Sequence, residues 1–128
     1  MEKIKGCVFC EKEYKEDEIL YNGRLWKGVL DGYPVSRGHT LLISQRHVEN
    51  YFDLTEFEKL SLHHAIEGVK KKLDEQYKPN GYNIGMNCGL AAGQTVMHCH
   101  VHIIPRYDGD VENPRGGVRG VIPHKKDY

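Results

Sequence analysis

Three histidines stand at alternate positions in Val96-Met97-His98-Cys99-His100-Val101-His102-Ile103-Ile104. The surrounding Val and Ile residues favour a β-strand, on which alternate side chains share a face. His98, His100 and His102 are therefore predicted to line one face, with Cys99, Val101 and Ile103 turned into a core. A neutral imidazole is a competent nucleophile near neutral pH, and a phosphorus centre is a natural target. Attack there forms a phosphoramidate that a second nucleophile can resolve. Such chemistry needs a group to fix the tautomer of the attacking ring, donors for the phosphoryl oxygens and a proton donor for the leaving group. His100, with a histidine on each side, is the candidate nucleophile. The small-residue loop from Gly89 to Thr95 can offer backbone N–H groups to a phosphate, helped by Gly93, the Gln94 side chain and the Thr95 hydroxyl.

Cys7-Val8-Phe9-Cys10 is the second chemical signal. Two thiolates at this spacing can grip one tetrahedral zinc, and a closed site needs two more ligands. The rival is a redox Cys-x-x-Cys, a motif that opens a helix. Val8 and Phe9 make a poor helix start, so zinc is the preferred reading. His47, just past a predicted strand end, is the candidate third ligand, against the plainer reading of a surface-loop histidine. One histidine of the triplet would complete the set and leave two for chemistry. Were all three to hold metal, the chain would be a zinc hydrolase acting through a bound water. Cys88 and Cys99 read as reduced apolar fillers.

These residues need elements to hold them. Residues 1–18 read as an irregular arm that brings in the cysteines. Ile19–Tyr21 and Leu25–Leu30 form a predicted hairpin around Asn22-Gly23. Asp31-Gly32-Tyr33-Pro34 ends it, and His39–Ser44 is a third strand. Two overlapping capping boxes, Asp53 with Glu56 and Thr55 with Glu58, precede a helical stripe of Leu62, Ile66, Val69, Leu73 and Tyr77. Phe57 and Leu60 widen that stripe at its start. The predicted helix spans about residues 54–78 and ends at Pro79-Asn80-Gly81, with Tyr82–Asn87 as a fourth strand. Strands outnumber helices and hairpins are plausible, so the class is α+β with a mixed or antiparallel sheet.

The chain has 128 residues, no net formal charge and an ordinary apolar fraction of 39%. That suits one domain over residues 1–128 and gives no reason to expect a nucleic-acid partner. The charged start and the lack of any long apolar run predict neither a signal peptide nor a membrane span, and hence a cytoplasmic protein.

Ala92-Gly93-Gln94-Thr95-Val96 followed by His98-Cys99-His100-Val101-His102-Ile103-Ile104 resembles the signature of the histidine triad (HIT) superfamily of nucleotide hydrolases and transferases. Gly38-His39-Thr40-Leu41-Leu42-Ile43 and the spacing of Asp31, Asn87 and His100 extend the resemblance over residues 7–107. The Gln-Thr-Val form is closer to the fragile-histidine-triad and dinucleoside polyphosphate hydrolase branch. The resemblance implies an antiparallel sheet with one long helix and a short helical segment, a homodimer, and a nucleotidyl intermediate on His100 later hydrolysed by water. It implies that His102 contacts the phosphate and leaving group, that His39 lines the pocket, and that Asp31 meets the ribose hydroxyls. Asn87, Gln94 and Thr95 would hold phosphates, and structural zinc would sit on Cys7, Cys10, His47 and His98. The expected substrate is a nucleotide or dinucleoside polyphosphate, such as diadenosine tetraphosphate. A nucleotidyl transferase, a phosphoramidase and a slow nucleotide sensor are the alternatives. The Gly- and Pro-rich tail, residues 108–128, lies outside the shared pattern. Its Arg115 and Arg119 could meet distal phosphates, against the plainer reading of a tail that is exposed to solvent or packs in the dimer.

Overall fold

The computed structural model describes residues 2–128, so Met1 of the expected 1–128 unit lies outside the described residues. The strands are β1 (Ile19–Asn22), β2 (Trp26–Leu30), β3 (Thr40–Ser44), β4 (Gly81–Gly85) and β5 (His100–Arg106). They form one five-stranded sheet in the order β1-β2-β3-β5-β4, and every neighbouring pair is antiparallel. Two α-helices accompany it, α1 (Val8–Glu11) and α2 (Glu56–Tyr77). This is the expected α+β arrangement with one long helix. Among the described residues, no helix is long and apolar enough to cross a membrane.

The two faces of the sheet have different tasks. Leu20, Trp26, Leu42, Val101 and Ile103 pack on Leu62, Ala65, Val69 and Leu73 of α2 to make the main core. Close approach of helix to sheet depends on Gly28, where an added Cβ would lie 2.9 Å from Val69. On the opposite face a smaller cluster of Val29, Leu41 and Ile43 is covered by Phe9, Tyr14 and Ile19 of the N-terminal segment. Burial alternates residue by residue along β5. Val101 and Ile103 face α2, while His100 and His102 face the other way, beside their ladder partners Ile43 and Leu41.

Several expectations are corrected in detail. The arm is not irregular: Cys7 is the N-cap of α1, and a 3₁₀ turn spans Glu16–Glu18. Of the two capping boxes the chain uses Thr55 with Glu58, so α2 starts at Glu56 and ends at Tyr77. Phe57 and Leu60 lie outside the apolar stripe, 79% and 59% exposed. The residue that turns inward there is Glu58, buried at 2% exposure. Its carboxylate accepts from Arg46 at 2.8 and 3.1 Å and from the Thr55 amide at 2.8 Å. A paired and capped charge can occupy a site that an apolar pattern assigns to a hydrophobe. The histidine strand begins at His100, because the chain bends through residues 96–98. The tail folds into 3₁₀ turns at Gly117–Val121 and Pro123–Lys125 and lies against β4.

Candidate active site

Local contacts assign a tautomer to each imidazole of the site. Nδ1 of His100 lies 2.7 Å from the carbonyl of His98. A carbonyl only accepts, so Nδ1 carries the proton and Nε2 keeps its lone pair. The Val35 amide donates to Nδ1 of His39 at 3.1 Å, which puts the His39 proton on Nε2. That N–H faces Nδ1 of His102 at 3.0 Å and a carboxylate oxygen of Asp31 at 3.4 Å. His102 accepts at Nδ1 and therefore carries its own proton on Nε2. Two different tautomers result on one strand: a ring with a free lone pair and a ring with a free N–H, their centroids 5.3 Å apart.

The electrostatics keep this pattern neutral. Burial pushes His102 down to about 4, with His100 and His39 adding to the effect and Asp31 opposing it. Burial also lowers His39, against the Asp31 carboxylate. His102 is thus a neutral hydrogen-bond donor through the physiological range. Asp31, expected at a ribose, is itself held by the Tyr33 amide at 2.9 Å as well as by His39.

The loop before β5 differs from the sequence reading at Gln94. This side chain is buried at 2% exposure. Its oxygen accepts from the Gly89 amide at 2.8 Å, and its nitrogen donates to the carbonyls of Glu49 and Val96 at 2.6 and 3.1 Å. A buried carboxamide has to find partners nearby, so Gln94 clamps the loop instead of reaching toward a phosphate. Gly93 turns the loop in the left-handed region at φ 92°. Thr95 is exposed. The amides of Thr95, Val96 and Met97 make no hydrogen bond among the described residues and remain as donors. Asn87 lies at a cavity of about 470 Å³ that also takes in His39 and His102. Val118 and Val121 of the tail also line it. The tail arginines are engaged elsewhere: Arg119 donates to the carbonyls of Lys125 and Lys126, and both Arg115 and Arg119 lie 4.9 Å from the Tyr128 ring. The expected phosphate contact is replaced by contacts that close the tail on itself.

Beside the nucleophile, Cys7, Cys10, His47 and His98 form a group suited to a metal ion. Nδ1 of His98 lies 3.3 Å from Cys7 Sγ, 3.5 Å from Cys10 Sγ and 3.1 Å from Nδ1 of His47, and Cys10 Sγ is 3.3 Å from the same His47 atom. A tetrahedral site with metal–sulfur bonds of about 2.3 Å and metal–nitrogen bonds of about 2.0 Å has ligand–ligand edges of about 3.3–3.8 Å. The ring of His98 is orientated for this role, since its Nε2–H donates to the Ser44 carbonyl at 2.7 Å and leaves Nδ1 free. The cysteines do open a helix, contrary to expectation, but burial raises the Cys7 thiol where a redox motif lowers it. Two contributors were not singled out from the sequence. Val35 acts through its main-chain amide, which leaves no side-chain signal, and Phe9 was visible only as the spacer between the cysteines; the second role of His98, through its carbonyl, left no signal either.

Residues 12–109 match the HIT domain. The chain is 33% identical to Protein hit of Bacillus subtilis over 116 residues, 84% of this chain and 75% of that protein. It is 37% identical to an asymmetrical bis(5'-nucleosyl)-tetraphosphatase of Schizosaccharomyces pombe over 93 residues, 73% of this chain and 51% of that protein. It is 33% identical to an AP-4-A phosphorylase of Mycobacterium tuberculosis over 97 residues, 75% of this chain and 50% of that protein. The chain thus spans about half the length of the last two relatives. Among solved structures, a Zn-bound histidine triad family protein from Mycobacterium smegmatis superposes with a TM-score of 0.74 at 31% identity, covering 84% of this chain and 80% of that one. A HIT family protein from Bacillus anthracis gives 0.75 at 30% identity, with 83% and 77% covered.

Proposed function

The chain belongs to the HIT domain family, and from that premise we propose that it hydrolyses a nucleoside polyphosphate, with a dinucleoside polyphosphate such as diadenosine tetraphosphate as substrate. The carrying observation is the pair of opposite tautomers, Nε2 of His100 as a free lone pair beside Nε2–H of His102. Nε2 of His100 attacks the α-phosphorus, a P–N bond forms, and the P–O bond to the remaining phosphates breaks with its electron pair on the departing oxygen. His102 donates a hydrogen bond to that oxygen. The free amides of residues 95–97 receive the charge on the phosphoryl oxygens. Water then attacks phosphorus, the P–N bond returns its pair to Nε2, and the water proton passes to solvent. Asp31 and Asn87 are assigned to the ribose and phosphates, and the cavity walled by Val118 and Val121 to the departing nucleoside. The Mycobacterium tuberculosis relative supports a second reading, in which inorganic phosphate replaces water in the second step.

The same proposal assigns zinc to Cys7, Cys10, His47 and His98. Two thiolates and two imidazoles are a zinc donor set, and four protein ligands leave no open position, so the ion is structural. It pins the N-terminal segment to the sheet. A single domain, a homodimer and a cytoplasmic location belong to this reading as well.

Intact-protein mass spectrometry after rapid mixing with diadenosine tetraphosphate tests the mechanism. A mass gain of one AMP that disappears in His100→Ala is expected. Product formation without an adduct at any time, or a His100→Ala rate within about tenfold of wild type, overturns the role of His100.

A further inference from the structure

Four side chains converge on the metal cluster, yet one of them belongs to the strand entry that carries the nucleophile. The ring of His98 joins the cluster through Nδ1, while its carbonyl accepts the Nδ1–H of His100 at 2.7 Å. Phe9 stands in α1 between the two cysteines. Its ring meets both imidazoles edge-on, that of His98 at 5.9 Å and 85° and that of His100 at 5.0 Å and 72°. The hydrogen bond to the His98 carbonyl fixes which nitrogen of His100 is protonated, but a single bond leaves the ring free to swing about it. Neighbouring rings check that swing, Phe9 at 5.0 Å and His102 at 5.3 Å. His102 is anchored by His39. Phe9 packs on Val29, Leu41 and Ile43 and has no polar anchor of its own, and the ligands on either side of it in the chain, Cys7 and Cys10, tie its backbone to the cluster.

We propose that Phe9 is a positioning residue, which carries closure of the Cys7–Cys10–His47–His98 cluster to the imidazole of His100. It rests on the proposed role of His100 as nucleophile. In this arrangement a metal held by the cluster would do more than fix the segment, because Phe9 then sets the aim of Nε2 without touching substrate. Attack on phosphorus is sensitive to such aim, since a displacement of about 1 Å can cost about a hundredfold in rate. Two plainer roles are distinguishable from this one. A ring that stacks on the ligand would change KM, and a ring that only fills space would be replaced adequately by Leu.

Phe9→Leu and Phe9→Tyr are compared in the metal-loaded protein. Phe9→Leu is expected to lower kcat by about tenfold or more with KM within about threefold of wild type, and Phe9→Tyr to restore most of the loss. Metal stoichiometry should be the same in all three proteins. A second readout needs no substrate: ¹³C relaxation of the His100 ring should report an ordered ring in wild type. The same relaxation should report a mobile ring in Phe9→Leu and in wild type stripped by a chelator, with the Nδ1–H tautomer kept in all of them. An unchanged kcat in Phe9→Leu, a rise in KM alone, or wild-type ring order in Phe9→Leu overturns the inference. If wild type transfers no nucleotide, the proposed function falls, and ring relaxation still decides whether Phe9 orders His100.

Discussion

Replacing His102 by Asn tests the tautomer chain through protein stability. The Asn oxygen occupies much the same place as Nδ1 and still accepts the Nε2–H of His39, while the titratable ring is gone. Burial holds the wild-type ring down to about 4, against about 6.5 in the unfolded chain. A histidine depressed in the folded state favours folding while it is neutral. That contribution is complete above the unfolded value and is lost as pH falls from about 6.5 toward about 4. Near pH 5 the unfolded ring is almost fully protonated and the folded ring mostly is not. Linkage then gives a slope of about 1.2 kcal/mol per pH unit and a loss of about 2 kcal/mol between about pH 7.5 and about pH 5. His39 and His98 are also lowered by burial, and titrate in the same direction. His98 does so in both proteins and cancels in the comparison, whereas His39, 3.0 Å from His102, feels the substitution and adds to the difference in the same direction. Urea melts across that range should show wild type losing about 2 kcal/mol more than His102→Asn. A difference between the two that stays constant with pH refutes both the depressed titration and the buried, neutral His102 on which the donor role depends.

Two further perturbations address what holds the site in place. Glu58→Ala removes the acceptor of both Arg46 bonds and of the Thr55 amide at the start of α2. Arg46 is 42% exposed and returns to water, so the expected cost is about 2–4 kcal/mol, or a Tm lower by about 7–14 °C. Calorimetry showing a cost under about 1 kcal/mol would remove Glu58 as the anchor of that helix end. Cys7→Ser combined with Cys10→Ser should lower Tm, and a chelator should bring wild type to the same value, because metal binding energy is folding energy. Identical melts and equal metal content in both proteins would end the zinc assignment.

Side-chain chemistry was legible in the sequence, and main-chain chemistry was not. The spacing of Cys7 and Cys10 and the alternation of His98, His100 and His102 announced the residues that the fold brings together. Thr55 and Glu58 announced the start of α2. Gln94 misled because a polar residue in a small-residue loop has two uses, facing a ligand or tying the loop together. Only the positions of the Glu49 and Val96 carbonyls decide between them. Phe57 and Leu60 misled because the helical phase that buries Leu62, Val69 and Leu73 runs back to Glu58, which turns inward and leaves its apolar neighbours outward. Cys7 was read as part of an irregular arm because residues 1–18 are mostly polar, and Val8 and Phe9 are weak helix starters. Contact of Cys7 and Cys10 with two distant histidines supplies what local preference lacks. The tail offered no periodicity, and its packing on β4 could not be read.

The tautomer of His100 is set by a carbonyl and that of His39 by an amide, so neither contact depends on the identity of a side chain. A single base change in the gene can alter any side chain, but it cannot delete the carbonyl of residue 98. The amide of residue 35 is lost only to proline, which a valine codon cannot reach in one base change. Random mutation therefore has a small target when it comes to the proton pattern of this site. The metal ligands and the His39–His102 link are open to loss at every codon. A lineage could shed the cysteines while the carbonyl at residue 98 still held His100 in the right protonation form, so that aim would degrade before chemistry did.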